Sequence, residues 1–65
     1  MIHGHTVSYD AKAENGEDFL RSRAPEIAKV FFDQAFSHGY AVFEDHSGTK
    51  YRLVHKGAEY ELVHL

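Results

Sequence analysis

The last third of the chain, from Tyr40 to Leu65, constrains the fold most strongly. It reads YAVFEDHSGTKYRLVHKGAEYELVHL, and its alternating apolar and polar runs are separated by two glycine-containing segments. Alternation with a period of two residues, rich in β-branched and aromatic side chains, is typical of half-buried strands. This stretch therefore predicts three consecutive antiparallel strands joined by two tight turns.

The first turn predicts the register of the first hairpin. Residues 45–48, Asp-His-Ser-Gly, suit a type I turn followed by a glycine bulge. This turn would pair Phe43 with Tyr51. It would also pair Ala41 with Leu53.

The second turn is placed at Lys56-Gly57, which suits a two-residue hairpin loop. This loop would pair Leu53 with Tyr60. It would also pair Arg52 with Glu61, so that opposite charges face each other across the strands.

The two registers agree on how the side chains divide between the faces of the sheet. One face, the natural seat for a helix, would carry Ala41, Phe43, Tyr51, Leu53, Tyr60 and Leu62. The opposite face is the predicted interaction face, and we assign to it Tyr40, Val42, Arg52, Val54, Glu61, Val63 and Leu65. Apart from its ion pairs this second face is apolar, so a monomer would leave it in water.

One strand and one helix are predicted before the meander. Residues 3–13 alternate and predict a half-buried strand. Asn15 is a candidate N-cap, followed by one short turn around Glu17–Ser22 and a main helix from about Ala24 to His38. Gly39 supplies the left-handed residue that commonly follows a helix.

The main helix has a wide apolar arc, in which residues recur at spacings of three and four. Ile27 and Phe31 are predicted to lie in the core.

These elements predict a single α+β domain spanning residues 1–65. Its order is β-α-β-β-β, with one four-stranded mixed sheet and one helix packed on one face. The first strand should pair in parallel with either the second or the fourth strand, because the third is already flanked on both sides. A chain of 65 residues buries a small core and has no cysteine to reinforce it with disulfides.

Charge and hydropathy narrow the function classes. The net charge is −3 and neither half of the chain forms a basic patch, which argues against a nucleic-acid partner. No apolar run is long enough for a membrane span, and the N-terminus lacks the pattern of a secretory signal. We therefore expect a cytoplasmic protein without a membrane partner.

Six histidines are an unusual number for a chain of this length. By the predicted topology, His3, His5, His38 and His55 lie at one end of the sheet. Converging imidazoles bind zinc, copper or nickel, so a histidine-based metal-binding protein is the first alternative function.

No residue pattern predicts a catalytic site. The adjacent pair Asp45-His46 lies in a predicted turn, and a nucleophile activated by a positioned base is not evident. A small histidine-dependent nuclease is the third hypothesis.

The leading hypothesis is a non-enzymatic protein–protein interaction module without a cofactor. It would bind itself, another protein, or both, through the uncovered sheet face or the exposed edge of the meander, and we expect it to be a homodimer. The order of elements recurs among small phage-encoded inhibitors and bacterial accessory proteins, so a regulatory or inhibitory role is expected. That likeness concerns topology alone.

Overall fold

The computed structural model describes all 65 residues as one four-stranded mixed sheet with helices packed on one face. The strands are β1 (Val7–Tyr9), β2 (Tyr40–Glu44), β3 (Lys50–Lys56) and β4 (Glu59–His64). The helices are α1 (Glu14–Ser22) and α2 (Pro25–His38). The α+β class and the C-terminal antiparallel meander are confirmed. Two helices rather than one cover the inner face.

The sheet has the strand order β1-β4-β3-β2. β1 runs parallel to β4, with Val7 opposite Tyr60 and Tyr9 opposite Leu62. Of the two pairings that the sequence left open, the structure has the one with the fourth strand. β2 is therefore the other edge of the sheet, and it has no neighbour on its outer side.

The first hairpin has the predicted register. Ala41 lies opposite Leu53, and Phe43 lies opposite Tyr51. The glycine bulge is also present, since Gly48 has a φ of 85°.

The predicted register of the second hairpin is wrong by two residues. Leu53 lies opposite Leu62, and Arg52 lies opposite Val63 rather than Glu61. Side chains alternate along a strand with a period of two, so a shift of two residues leaves every side chain on its predicted face.

The second turn has Gly57 and Ala58 as its two loop residues, between the paired Lys56 and Glu59. Gly57 has a φ of 60°, whereas Ala58 has a negative φ. These signs define a type II′ turn, which takes glycine at its first loop position. The predicted loop would have required a positive φ at Lys56, which is unfavourable for a residue with a β-carbon.

The core lies between the sheet and the two helices. Its buried members are Ile2, Ala13, Leu20, Ala28, Phe32, Ala35, Ala41, Phe43, Tyr51, Leu53, Tyr60 and Leu62. All six residues assigned to the inner face of the meander are among them, so the predicted division of the faces is confirmed.

The first strand is much shorter than the predicted span of residues 3–13. Ile2 and His5 form a bridge that closes a tight turn through Gly4, and this turn buries Ile2 to 1% exposure. After β1, residues 11–13 form a 3-10 turn, which Asp10 caps by accepting a hydrogen bond from the Lys12 N–H at 2.9 Å. Ala11 and Ala13 extend the alternating pattern of the sequence beyond the strand, but in the structure they belong to this turn. The predicted strand was too long for this reason.

α1 begins before the predicted position, so Asn15 lies inside it and is not the N-cap. The break between the helices is at Arg23 and Ala24, which are extended, with ψ of 151° and 145°. Pro25 disfavours a helical conformation for the residue before it, and it begins α2 as a first-turn proline. α2 ends at His38 as predicted, and Gly39 after it has the left-handed conformation, with a φ of 91°. Neither helix is long and apolar enough to cross a bilayer.

Candidate functional site

The sheet face opposite the helices is uncovered, and we call it the outer face. It carries all seven residues assigned to the predicted interaction face: Tyr40, Val42, Arg52, Val54, Glu61, Val63 and Leu65. Four of the apolar members are between 39% and 51% exposed. The outer face therefore keeps partly hydrated apolar side chains on three adjacent strands.

Arg52 lies at the centre of the outer face. It is flanked by Val42 on β2 and Val63 on β4. Its guanidinium carbon is 5.2 Å from the centroid of the Tyr40 ring, which is the geometry of a cation–π contact. The contact joins the only arginine of the meander to the most exposed aromatic ring of the outer face.

The ion pairs of the outer face differ from those predicted. Glu61 pairs with Lys56, whose Nζ is 2.8 Å from Glu61 Oε1. Glu44 lies opposite Lys50, but their charged groups are more than 4 Å apart, and no carboxylate lies within 4 Å of the Arg52 guanidinium. Glu44 and Arg52 consequently have no ion partner within the chain.

The free edge of β2 presents unpaired backbone groups. The His55 N–H donates to the Gly39 carbonyl at 2.9 Å, and the Asp45 N–H donates to the Thr49 carbonyl at 3.0 Å. Antiparallel strands alternate hydrogen-bonded and non-hydrogen-bonded pairs. The backbone groups of Tyr40, Val42 and Glu44 therefore point away from β3, toward the open edge.

α2 carries a partly exposed apolar stripe formed by Ile27, Val30 and Phe31, and Phe31 is the member that contacts β2. Ile27 is 49% exposed and Val30 is 61% exposed, so the prediction that Ile27 lies in the core is wrong. Phe31 is only partly buried, and its ring is 5.3 Å from that of Phe43 on β2. Farther along α2, a shallow groove separates the helix from β2 at Gln34.

Two of the four predicted metal ligands, His5 and His55, contact the same aromatic ring, that of Tyr60. The His5 ring stacks on Phe32 at a centroid distance of 4.1 Å and meets Tyr60 edge-on at 5.4 Å. The His55 ring lies 5.2 Å from Tyr60 and 4.9 Å from Phe36. Both imidazoles therefore belong to an aromatic cluster at the predicted end of the sheet.

The other two predicted ligands are not part of this aromatic cluster, although His3 lines the same shallow pocket as His5. His3 Nε2 is 3.1 Å from the Leu20 carbonyl oxygen at the end of α1. His38 is exposed at the end of α2 and lines the groove beside Gln34. No three histidine or carboxylate side chains lie close enough together to hold a metal ion. The metal site stays a prediction.

A second cleft lies between α1 and the turn that joins β2 to β3. There, the Arg23 guanidinium lies 4.4 Å from the Phe19 ring centroid and 3.1 Å from His46 Nε2. The neighbouring carboxylate of Asp45 accepts hydrogen bonds from the hydroxyl and the N–H of Ser47 and lies in the turn itself. These bonds, with the Ser47 hydroxyl foremost, hold the pKa of Asp45 below its ordinary value. No ring nitrogen of His46 bonds to this carboxylate.

The β2 edge with its helical stripe is the feature that sequence reasoning identified only in outline. The exposed edge of the meander was predicted, but which strand forms it depends on where β1 pairs. The spacing of Ile27, Val30 and Phe31 was readable as one helix face. Its exposure was not, because α2 places a different arc, centred on Phe32, against the sheet.

Comparisons with known proteins add no further assignment, since no protein-family model, no curated protein and no solved structure matches the chain. The fold and the surface define a small α+β protein whose sheet has one uncovered face and whose edge strand β2 has no neighbour on its outer side.

Proposed function

We propose that the protein is a non-enzymatic interaction module that binds another protein through the outer face. The observation that carries this proposal is the apolar surface around Arg52 and Tyr40, on a sheet face that neither helix covers. Half-exposed apolar side chains on adjacent strands are typical of surfaces that a partner desolvates.

The composition of the outer face supports this proposal. Arginine and tyrosine are enriched among the residues that contribute most to protein interfaces. Arg52 and Tyr40 already contact each other, so ordering these side chains on binding would cost less entropy. The pair formed by Lys56 and Glu61 lies toward one end of the face, where charged side chains can remain hydrated.

The partner's chemistry follows from the same surface. A complementary surface would be apolar, to cover Val54 and Val63, and would place an acidic or carbonyl group against Arg52. We further propose a regulatory or inhibitory role exerted by binding. A chain without cysteine suits a reducing compartment, and we propose a cytoplasmic location.

The test compares partner capture by the native chain and by a variant with Val54→Lys and Val63→Lys. Both side chains lie on the outer face and away from the β2 edge. We expect a partner captured from a lysate of the native host to be lost on this change, because two charges would have to be desolvated at the contact. Quantitative mass spectrometry of the captured proteins measures the loss.

Ala58→Lys is the control for added positive charge, since it adds one lysine, against two in the double variant, at an exposed turn off both faces. Equal retention of the partner by the native chain and the double variant would contradict the proposal. Circular dichroism establishes that each variant is folded. The metal-binding and nuclease hypotheses stay predictions.

A further inference from the structure

We infer that two copies of the chain pair through their β2 edges in antiparallel orientation, and that a two-fold axis passes beside Val42. The two sheets would join into one continuous eight-stranded sheet. Both proposals use Arg52, but the test of partner capture changes Val54 and Val63 and the tests of pairing change Glu44, Arg52 and Val42, so either proposal can fail alone.

The edge at β2 lacks the usual protection against strand pairing. Natural edge strands are kept short or carry lysine, proline or bulges. β2 has five residues, YAVFE, with a single charge and no proline. By contrast, the edge strand β1 has only three residues, so it offers little to a pairing strand.

The backbone of β2 is suited to pairing with a second copy of itself. The backbone N–H and C=O groups that point outward belong to Tyr40, Val42 and Glu44. In an antiparallel ladder, two facing residues whose backbone groups point toward each other exchange two hydrogen bonds. A two-fold axis at Val42 sets this residue opposite Val42 of the partner subunit. It sets Tyr40 opposite Glu44 of the partner subunit, and Glu44 opposite the partner's Tyr40.

The charges in this register are self-complementary. Glu44 and Arg52 have no ion partner within their own chain. Glu44 would lie beside the partner's Tyr40, and the guanidinium of the partner's Arg52 is held 5.2 Å from the centroid of that same ring. The two-fold axis therefore creates two equivalent Glu44–Arg52 contacts between the subunits. They lie on either side of the pair that Val42 forms with Val42 of the partner subunit.

The helices are also placed for contact. A two-fold axis perpendicular to the sheet keeps both copies of α2 on the same face. α2 packs mainly on β2 and β3, so its axis would lie about one strand spacing, ~4.8 Å, from the two-fold axis. The two helices would then be roughly 10 Å apart, a normal packing distance. Ile27 and Phe31, on the side of α2 nearest β2, would then be covered by α2 of the partner subunit.

Charge reversal tests the pairing most directly. We expect the native chain to sediment as a dimer, and Glu44→Arg and Arg52→Glu each to weaken dimerisation by about 100-fold, because like charges would meet twice across the axis. An equimolar mixture of the two single variants should form a heterodimer, since both contacts are again between opposite charges. The chain carrying both changes should dimerise by itself for the same reason.

Lys56→Glu is the control, because it reverses a charge on the same face but away from the axis. It should leave the dimer intact. A native chain that remains monomeric at millimolar concentration would overturn the inference. So would single variants that do not recover dimerisation when mixed, provided that circular dichroism shows them folded.

A cysteine substitution tests the register. The chain has no cysteine, so Val42→Cys introduces a single thiol. The Cα atoms of a hydrogen-bonded antiparallel pair are about 5.5 Å apart, which suits a disulfide. Mild oxidation should give a covalent dimer on a non-reducing gel. Val63→Cys, two strands away from the axis, should not cross-link at a comparable rate, and equal cross-linking of the two variants would show that the outer faces stack instead.

Discussion

At the scale of single residues, Gly16 sets how closely α1 approaches the sheet. A β-carbon at this position would lie 2.7 Å from an atom of the Tyr51 ring, which is closer than packed side chains tolerate. The Tyr51 ring is itself 1% exposed and is surrounded by core residues. Neither group can move aside without disturbing the packing of α1 on β3.

We expect Gly16→Ala to destabilise the fold by roughly 1–2 kcal/mol. Alanine would ordinarily stabilise a helix by up to about 1 kcal/mol relative to glycine, but the overlap with the ring atoms of Tyr51 should cost about 2–3 kcal/mol, the upper part of the usual range for overpacking. Chemical denaturation measures the change. Asn15→Ala, at the exposed neighbouring position, is the control and should be neutral or stabilising. A Gly16→Ala variant as stable as the native chain would show that the contact is not limiting.

The turn residue Asp45 links stability to pH. Its pKa is lowered chiefly by the hydrogen bond from the Ser47 hydroxyl, with Oγ 2.7 Å from Oδ1, and further by bonds from the Thr49 N–H and the Tyr51 hydroxyl. The folded chain thus binds this proton less tightly than the unfolded chain does. The resulting stabilisation is present above the ordinary aspartate pKa and is lost as the pH falls through the lowered value.

We therefore expect Ser47→Ala to move the pKa of Asp45 back toward its ordinary value and to reduce the stability difference between neutral pH and pH 3. An NMR titration of the Asp45 carboxyl carbon measures the pKa, and denaturation at the two pH values measures the stability difference. Ser37→Ala, on the exposed surface of α2, is the control. An unchanged Asp45 titration in the Ser47→Ala chain would contradict this account.

At the scale of elements, local rules predicted the meander well where a turn has one good solution. The segment from Asp45 to Gly48 determines the register of the first hairpin, because only Gly48 needs a positive φ. The second turn could have been predicted as well. A glycine followed by alanine suits a type II′ loop, and placing Gly57 first would have given the observed pairing of Lys56 with Glu59.

The elements that were mispredicted depend on contacts between distant parts of the chain. The parallel pairing of β1 joins residues more than fifty positions apart, and periodicity carries no information about which strand is chosen. The burial of Ile2 has the same origin, since a single apolar residue in a turn has no pattern. Ile27 is exposed because α2 directs Phe32 and two alanines at the sheet, an orientation set by the tertiary packing.

At the scale of the whole molecule, the core of twelve buried apolar residues includes side chains from near both ends of the chain. Leu62 contributes from the last strand, and Ile2 contributes from the turn before the first. Single cores in domains of this size rarely supply more than about 3–5 kcal/mol of stability. Every buried side chain is therefore a large fraction of the total, and the uncovered apolar surfaces offer further stabilisation only through association.

Truncation of Ile2 tests this account of the whole fold. Ile2→Val should cost about 0.5–1.5 kcal/mol, and Ile2→Ala about 2–5 kcal/mol, enough to unfold much of the population of a domain with so small a core. Denaturation curves at a concentration where the chain is monomeric measure both steps. Leu65→Ala, an apolar truncation at the opposite terminus where the side chain is 49% exposed, should change the stability by only a few tenths of a kcal/mol. If Ile2→Ala were as mild as Leu65→Ala, the N-terminal turn would not be part of the cooperative core.

If dimerisation through β2 stabilises the folded chain, raising the protein concentration should partly restore the stability of the Ile2→Val variant, because association shifts the equilibrium toward the folded state.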